Sequence, residues 1–277
     1  MKLAPEGANE VGGRAANEVG PEGLMKKLGG GIEGVFLFPI LSICATIASI
    51  NSEKERTAME MREILQHVDH TLLKPEATWE QIKTLCDEAM EYNCATVCIP
   101  PAYVKAACGY VEGNLKVCTV IGFPNGYSTM QVKMMETRDA VDNGASEIDM
   151  VINVGLVKDR KWKELSEEII GVKTACLGRP LKVIIETCLL SDMEKMKVCQ
   201  VCAKAEVTYV KTSTGFGSGG ATREDVALLR ENLPAKIKIK ASGDIRTFAD
   251  AADYLALGAD RIGASALVAE ARKAQNG

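Results

Sequence analysis

The 277-residue sequence lacks several features that would indicate particular classes of function. It contains no block of basic residues and its formal net charge is -4, which argues against nucleic acid as a partner. Its one C-x-x-C pair, Cys199 and Cys202, has no second pair at the spacing that a zinc ribbon requires. Because this pair falls within an amphipathic helical pattern, a redox or metal role for it is disfavoured.

The other bulk properties are those of an ordinary globular protein. The chain is 47% hydrophobic and 25% charged, and its length suits a single α/β barrel. Most of the ten cysteines stand singly in apolar segments, as at Cys94, Cys98, Cys118 and Cys188. This pattern is typical of reduced, buried thiols and predicts a cytoplasmic protein.

Residues 1–57 differ in composition from the rest of the chain. Residues 1–33 are rich in glycine and glutamate and repeat the sequences ANEVG and PEG, so they have little apolar surface to bury. Residues 34–50 carry no charge and allow three interpretations: a signal-peptide core or marginal membrane anchor, a segment packed on the domain, or part of an upstream extension that precedes a start at Met59 or Met61. We favour an extension and expect no membrane association.

Residues 58–277 alternate short apolar segments with amphipathic helical patterns. Thr78, Ser128, Ser191 and Thr222 lie where helix N-caps are expected. Eight such units in about 215 residues favour a closed (β/α)8 TIM barrel, an α/β fold, over an open parallel sheet. The predicted strands are residues 67–69, 95–99, 116–121, 147–153, 182–187, 208–211, 237–241 and 261–263.

The stretch at residues 205–218, AEVTYVKTSTGFGS, holds an unusual lysine. Its predicted strand ends at Lys211 and leads into a loop with Gly215 and further glycines, which let a backbone approach an anion closely. A charged amine at the end of a buried strand is costly unless it is paired, deprotonated or used in chemistry. The alternative is a lysine whose stem packs while its ammonium reaches solvent.

Active sites of TIM barrels lie at the carboxyl ends of the strands. Strand periodicity places Asp149 on one face with Glu147, and Lys240 on one face with Lys238. Lys211, Lys240 and Asp149 are therefore predicted to share one barrel mouth, where burial and mutual repulsion depress the pKa of at least one amine. A structural Asp–Lys ion pair is the alternative. The candidate strand-end residues are Asp69, Thr71, Cys98, Asn125, Asp149, Asn153, Glu186, Thr187, Lys211, Lys240, Ser242 and Gly243.

Eight motifs follow one another from residue 67 towards the end of the chain. They are HVDHTLLKPEAT (67–78), VCIPPAYV (97–104), VIGFPNGYST (120–129), EIDMVINVG (147–155), LKVIIETCLL (181–190), YVKTSTGFGSGGAT (209–222), IKASGDIR (239–246) and ADRIGAS (259–265). Together they resemble the deoxyribose-phosphate aldolases, a family of class I aldolases, whereas residues 1–57 match nothing in that pattern. The resemblance implies a TIM barrel that reversibly cleaves 2-deoxyribose 5-phosphate to acetaldehyde and glyceraldehyde 3-phosphate, without a metal or another cofactor.

The resemblance also implies roles for individual residues. Lys211 corresponds to the Schiff-base nucleophile, Lys240 to the lysine that lowers its pKa, and Asp149 to a proton relay. The substrate phosphate is expected at the loops after the last strands and at the start of the last helix. The residues expected to bind substrate are Asp69, Thr71, Cys98, Thr212, Gly215, Gly243, Asp244, Gly263 and Ser265.

The sequence departs from the family at two places. The family usually has a second glycine where this chain has Asp244, which either faces the phosphate and weakens its binding or turns outward to pair with Arg246 or Arg223. Some members end in a tyrosine that assists proton transfer. This chain ends in AQNG, so that assistance is expected to be absent or supplied otherwise.

Rival functions differ in what they need from these residues. A barrel isomerase or epimerase does not need two strand-end lysines beside an aspartate. A non-catalytic sugar-phosphate-binding barrel, or an aldolase with relaxed phosphate dependence, is compatible with Asp244. The expected partners are small phosphosugar and aldehyde substrates, and a homodimer or homotetramer is the expected assembly.

Overall fold

The computed structural model describes residues 60–276, so the predictions for residues 1–57 lie outside the described residues. The strands form one closed parallel barrel, in which each strand pairs with the next along the chain and the last pairs with the first. This confirms the predicted (β/α)8 TIM barrel. The strands are β1 (Val68–Thr71), β2 (Thr96–Ile99), β3 (Val117–Ile121), β4 (Glu147–Val151), β5 (Leu181–Ile184), β6 (Tyr209–Lys211), β7 (Lys238–Ser242) and β8 (Arg261–Ala264).

Helices follow the strands and cover the outside of the barrel. Within the described residues, none is long and apolar enough to cross a membrane. The helices that follow the strands are α1 (Trp79–Glu91), α2 (Val104–Val111), α3 (Met130–Asp142), α4 (Val154–Lys158), α5 (Trp162–Ala175), α6 (Asp192–Ala205), α7 (Arg223–Asn232), α8 (Phe248–Ala256) and α9 (Leu267–Asn276), with short 3₁₀ turns at Pro101–Tyr103 and Thr187–Leu189.

Side-chain caps fix where several helices begin. Thr78 and Ser191 form capping boxes at the starts of α1 and α6, and Thr222 caps α7, as the sequence predicts. The prediction for α3 is wrong by one residue. Thr129, not Ser128, accepts the hydrogen bond from the Val132 amide.

The apolar core lies between the strands and the helices. The buried face of α1, formed by Ile82, Leu85, Cys86 and Ala89, shows the helical spacing of such a face. The inside of the barrel differs, because charged side chains occupy much of it instead of the branched apolar residues that usually fill such barrels. Burying these charges is costly unless they are paired, so their pairing defines the site.

The C-x-x-C pair belongs to the packing of α6. Cys199 and Cys202 are buried free thiols on this helix. Burial raises the pKa of Cys199 to about 12 and raises the pKa of Cys202 further. A thiol held in its protonated form is a poor nucleophile and a poor metal ligand, which agrees with a structural role.

Candidate active site

One buried carboxylate, that of Asp149 on β4, contacts three lysines. The Nζ atoms of Lys211 and Lys240 donate to its Oδ2 atom at 2.9 Å and 2.8 Å. The Nζ atom of Lys182 donates to its Oδ1 atom at 2.7 Å. The strand register explains this convergence, because Asp149 pairs with Lys182 across β4 and β5, and Lys211 pairs with Lys240 across β6 and β7. The structure thus brings the three predicted residues together and adds a fourth.

A second layer of charge lies around Asp69 on β1. Its Oδ2 atom accepts a hydrogen bond from Lys240 and lies 3.4 Å from the Nζ atom of Lys182. Its Oδ1 atom accepts a hydrogen bond from Arg261 on β8. Glu147 completes the layer, because it lies 2.7 Å from Lys182 and 3.0 Å from Arg261. These contacts link the barrel strands through ion pairs.

The ion pairs fix the charge of the buried carboxylates. Burial alone would raise the pKa of Asp149, but attraction from Lys182, Lys211 and Lys240 outweighs it and holds that pKa well below its usual range. Asp69 is buried too, and Lys182, Lys240 and Arg261 hold its pKa below the usual range. Both carboxylates are therefore ionised at neutral pH.

Two of the lysines are held as charged ammonium groups by the same contacts. Burial lowers the pKa of Lys182 and Lys240, but the nearby carboxylates raise both values above the ordinary range of a lysine. Lys182 lies near three carboxylates and Lys240 near two. Lys211 contacts the Asp149 carboxylate alone among the described residues. It is therefore the lysine least committed to the ion-pair network.

Lys211 also differs from Lys182 and Lys240 because its side chain faces a cavity. It lines a cavity of about 400 Å³ at the carboxyl ends of the strands. Six of the nine residues predicted to bind substrate line the same cavity. These six are Thr71, Gly215, Gly243, Asp244, Gly263 and Ser265. Lys74 and Arg246 add positive charge to the lining.

Two loops approach each other closely on one side of this cavity. A Cβ atom on Gly220 would lie 2.4 Å from the carbonyl group of Gly243, so only glycine permits this approach. The amide of Ala221 donates to the carbonyl oxygens of Ser242 and Gly243 at 3.1 Å and 3.2 Å. These contacts hold the loop after β6 against the loop after β7.

Asp244 occupies the left-handed backbone region, with a φ of 60°. Asp and Asn tolerate this region better than most residues, although glycine is freer there. The carboxylate is exposed, and its Oδ1 atom lies 3.5 Å from the Nη2 atom of Arg246. Arg223 is engaged elsewhere, because it pairs with Asp253 and Asp250. Asp244 therefore lines the cavity and pairs with one of its cations.

Three other predicted site residues do not line the mouth cavity. Asp69 and Cys98 lie fully buried inside the barrel, deeper than Thr71. Thr212 is fully buried as well, and its hydroxyl donates to the carbonyl oxygen of Ser242 at 3.1 Å. The side chain of Thr212 thus ties β6 to the end of β7.

Glu186, one of the predicted strand-end residues, stabilises the loop that follows Lys211. It adopts a left-handed conformation with a φ of 52° and is almost fully buried. Its carboxylate accepts hydrogen bonds from the hydroxyl and the amide of Thr214, three residues after Lys211. This contact fixes the loop that leads from the lysine to Gly215.

Three charged residues of the site, Lys182, Arg261 and Lys74, were not predicted from the sequence. Lys182 and Arg261 stand at the starts of β5 and β8, where lysine and arginine usually reach solvent. Their ion pairs with the buried carboxylates show that both side chains point into the barrel. Lys74 follows the DHT motif in a loop, so no strand periodicity applies to it.

Among the described residues, two overlapping groups of buried side chains offer metal-ligand atoms inside the barrel: Cys98, Cys118 and Asp149, and Asp69, Cys118 and Glu147. The Sγ atoms of Cys98 and Cys118 and a carboxylate oxygen of Asp149 lie within 4.8 Å of one another. The Asp149 oxygens already accept hydrogen bonds from three lysines, and Lys182 lies 3.1 Å from the Sγ atom of Cys118. A metal cation at this point would have to displace ammonium groups.

The site combines a lysine amine, a carboxylate at hydrogen-bonding distance and a cavity lined by glycine-rich loops. It lies at the end of the barrel where TIM-barrel enzymes carry out their chemistry. Fold and site together define a TIM-barrel enzyme.

Comparison with known proteins places the chain within one group of such enzymes. Residues 63–269 match the family model described as DeoC/LacD family aldolase. A deoxyribose-phosphate aldolase of Clostridioides difficile is 47% identical over 207 residues, which cover 75% of this chain and 94% of the relative. A deoxyribose-phosphate aldolase of Streptococcus pyogenes is 49% identical over 210 residues, which cover 76% of this chain and 94% of the relative.

A solved structure agrees with these relatives. It is the tetrameric deoxyribose phosphate aldolase of Aeropyrum pernix, which aligns with a TM-score of 0.72 at 32% identity and covers 78% of this chain and 92% of its own. The chain belongs to the DeoC/LacD family of aldolases.

Proposed function

We propose that this aldolase cleaves 2-deoxyribose 5-phosphate reversibly to acetaldehyde and glyceraldehyde 3-phosphate, with Lys211 as the Schiff-base nucleophile. The observation that carries the proposal is the setting of the Lys211 Nζ atom. It opens onto the mouth cavity and contacts a single carboxylate, whereas Lys182 and Lys240 are tied to two or more. The names of the relatives support the substrate.

The charge balance of the barrel interior is compatible with an uncharged Lys211. Four cationic side chains, those of Lys182, Lys211, Lys240 and Arg261, face three carboxylates. With Lys211 uncharged, three cations still match three carboxylates, so no carboxylate is left without a partner. An uncharged amine is the form that attacks a carbonyl group.

The reaction proceeds from this arrangement in balanced steps. The Lys211 amine adds to the C1 carbonyl of the open-chain sugar, and water leaves to give a protonated imine. The C3 hydroxyl loses its proton and the C2–C3 bond breaks, which releases glyceraldehyde 3-phosphate and leaves an enamine on Lys211. A proton then returns to C2, and water hydrolyses the imine to acetaldehyde and the free amine.

Asp149 and Lys240 have distinct roles in this proposal. Asp149 lies 2.9 Å from the Lys211 Nζ atom, so it is placed to move protons to and from the groups that react there. Lys240 is held charged by Asp69 and Asp149, and its positive charge beside Lys211 opposes a second one. Both residues act where the covalent bond forms.

The substrate phosphate fits the other side of the mouth cavity. Lys74 and Arg246 line this cavity, and Lys74 forms no ion pair with another described residue. Backbone amides near Ser265 precede α9, and the start of a helix favours an anion. The phosphate end of the sugar therefore lies towards β7 and β8 while its carbonyl end reaches Lys211.

The experiment is a cleavage assay with 2-deoxyribose 5-phosphate that measures released acetaldehyde. Lys211→Arg should reduce turnover to background, because a guanidinium does not form the imine. Lys238→Arg is the matched control, since Lys238 lies exposed on the neighbouring strand, and it should keep near-native turnover. Turnover in Lys211→Arg would show that another lysine is the nucleophile.

We also propose that the protein assembles as a homodimer or a homotetramer. The tetrameric relative from Aeropyrum pernix supports this proposal. A cytoplasmic location stays a prediction from the cysteine pattern.

A further inference from the structure

Arg261 is a charged residue of the barrel interior that does not line the mouth cavity. It is the first residue of β8, and its side chain is only 12% exposed. Its Nη1 atom donates to the Oδ1 atom of Asp69 and, at 3.0 Å, to the Oε2 atom of Glu147. The guanidinium therefore reaches the ion pairs from the amino ends of the strands, whereas Lys211 lies at their carboxyl ends.

Tyr209 holds this guanidinium below Lys211. The Nη2 atom of Arg261 donates to the Tyr209 hydroxyl at 3.2 Å, and its Cζ atom lies 5.4 Å from the centroid of the Tyr209 ring. Tyr209 and Lys211 are two residues apart on β6, so their side chains lie on the same face of the strand. Arg261 is thus fixed about one layer of side chains away from the Lys211 amine.

Arg261 changes the balance of charge in this interior. Three carboxylates are matched in number by three cations other than Lys211. The carboxylates are those of Asp69, Glu147 and Asp149, and the cations are Lys182, Lys240 and Arg261. A protonated Lys211 would add a surplus positive charge to a buried cluster, which is costly, and loss of its proton removes that charge.

The balance would be different without Arg261. Two cations, those of Lys182 and Lys240, would then face three carboxylates. A protonated Lys211 would supply the missing positive charge, so the cluster would favour the ammonium form. Removal of Glu147 would have the opposite effect, because it takes away a negative charge and leaves the cations in place.

Other ionisable groups face the same interior. Burial raises the pKa of the Cys118 thiol well above its usual value, so this group is uncharged. A hydrogen bond with Cys118 and attraction from Lys240 and Lys211 lower the pKa of Cys98, as expected in an interior with surplus positive charge. The Nζ atom of Lys238 lies 5.6 Å from the Tyr209 ring centroid, but Lys238 is exposed and solvent screens its charge.

We propose that Arg261 is a positioning residue that makes Lys211 reactive near neutral pH, because it supplies the surplus positive charge that favours an uncharged amine. The inference rests on the proposed function, since it concerns the same Lys211 amine. Arg261 acts through the carboxylates of Asp69 and Glu147 and does not contact the substrate. Glu147 opposes it, so the two residues together set the pH range in which the imine forms.

The test measures the rate at which cyanoborohydride fixes acetaldehyde on Lys211 across a series of pH values, with mass spectrometry of the peptides as the readout. The midpoint of this rate against pH reports loss of the proton from the amine. Arg261→Met should move the midpoint up by about one pH unit or more. Arg261→Lys keeps the charge and should leave the midpoint close to that of the unaltered enzyme.

Glu147→Gln separates charge from structural support. It should move the midpoint down, because the surplus of positive charge increases. The double variant Arg261→Met with Glu147→Gln leaves two cations facing two carboxylates, so its midpoint should return towards that of the unaltered enzyme. A structural role would lower the amount of trapping in each variant but would produce neither opposite shifts nor this rescue.

Arg230→Met is the matched control. Arg230 is a half-buried arginine of α7 that donates to the backbone carbonyl oxygens of Ile237, Leu233 and Pro234, outside the barrel interior. Its replacement should reduce stability and leave the midpoint unchanged.

Two results would overturn the inference: an unchanged midpoint in Arg261→Met, or a shift in the same direction in Arg261→Met and Glu147→Gln. If Arg261→Met does not fold, Glu147→Gln decides alone, and a midpoint that stays or rises would overturn the inference. If the unaltered enzyme acquires no ethyl group on Lys211 at any pH, the proposed function fails instead.

Discussion

The Nζ atom of Lys182 lies 2.7 Å from the Oδ1 atom of Asp149, on the opposite side of the carboxylate from Lys211. One buried carboxylate thus joins the proposed nucleophile to a lysine that lies deeper in the barrel. Lys182 also contacts Glu147 at 2.7 Å, so its ammonium links the two acidic residues of β4. Lys182 is fully buried and does not line the mouth cavity, so we expect it to influence the chemistry only through Asp149.

Replacing Lys182 should alter the charge state of Asp149. In Lys182→Met, the Asp149 carboxylate loses one of the cations that hold its pKa low, so its pKa should rise. The acid limb of the kcat–pH profile should therefore move to higher pH. Removing one partner of a buried ion pair also costs about 3–5 kcal/mol of stability, so unfolding by urea should be followed alongside.

Lys133→Met separates this effect from a general loss of a buried lysine. Lys133 is also fully buried, and it pairs with Glu168 at 2.8 Å outside the barrel interior. This control should lose stability while keeping the pH profile of the unaltered enzyme. Equal pH profiles in both variants would contradict the role given to Lys182.

Replacing Asp149 should separate imine formation from proton transfer. Asp149→Asn keeps the shape of the side chain but removes its basicity, so kcat should fall by about 10²-fold or more, as is typical for loss of an acid–base group. Reduction with borohydride in the presence of acetaldehyde should still modify part of the protein, because the Lys211 amine is retained. Undiminished turnover in this variant would show that another group transfers the proton.

Acid should destabilise the barrel through Asp69 and Asp149. Both have a folded-state pKa below the ordinary value of 3.8, so their ion pairs stabilise the fold fully above that value. The stabilisation should be lost progressively as the pH falls from about 5, by more than about 2 kcal/mol for the two groups together. Urea unfolding at a series of pH values measures it, and a free energy of unfolding that stays constant from pH 6 to pH 3 would contradict the assignment.

Asp244 should limit the preference for a phosphorylated substrate. Its carboxylate lines the mouth cavity and pairs with Arg246, so it competes with the phosphate for that cation. Asp244→Gly should raise the ratio of kcat/KM for 2-deoxyribose 5-phosphate over 2-deoxyribose by about fivefold, as expected for removal of about 1 kcal/mol of repulsion.

The companion variant Asp244→Asn distinguishes charge from backbone conformation. Asn tolerates the left-handed conformation at this position and removes the charge, so it should give most of the same increase. A ratio that stays unchanged in both variants would mean that the carboxylate does not oppose the phosphate.

The sequence predicted the barrel because each strand and helix carries its own local pattern. The same periodicity placed Asp149 and Lys240 on inward faces, and the structure joins both to Lys211. The N-cap of α3 was misplaced because Ser128 and Thr129 are adjacent and both cap helices well.

The site features that could not be predicted from the sequence depend on strand register and on loop conformation. Parallel strands are joined through helices, so no turn fixes how far β5 is shifted against β4, and Lys182 could not be placed beside Asp149 in advance. The ion pair between Asp244 and Arg246 depends on a loop conformation without periodicity. Lys74 joins the mouth cavity for the same reason.

The central claim is that Lys211 forms the covalent bond to substrate. Its most direct measurement is reduction of the enzyme with borohydride in the presence of acetaldehyde, followed by mass spectrometry of the peptides. We predict an added ethyl group on Lys211, and none on Lys182 or Lys240, which remain charged in their ion pairs. An ethyl group on either of those two lysines, or no modification of an enzyme that cleaves the sugar phosphate, would contradict the account.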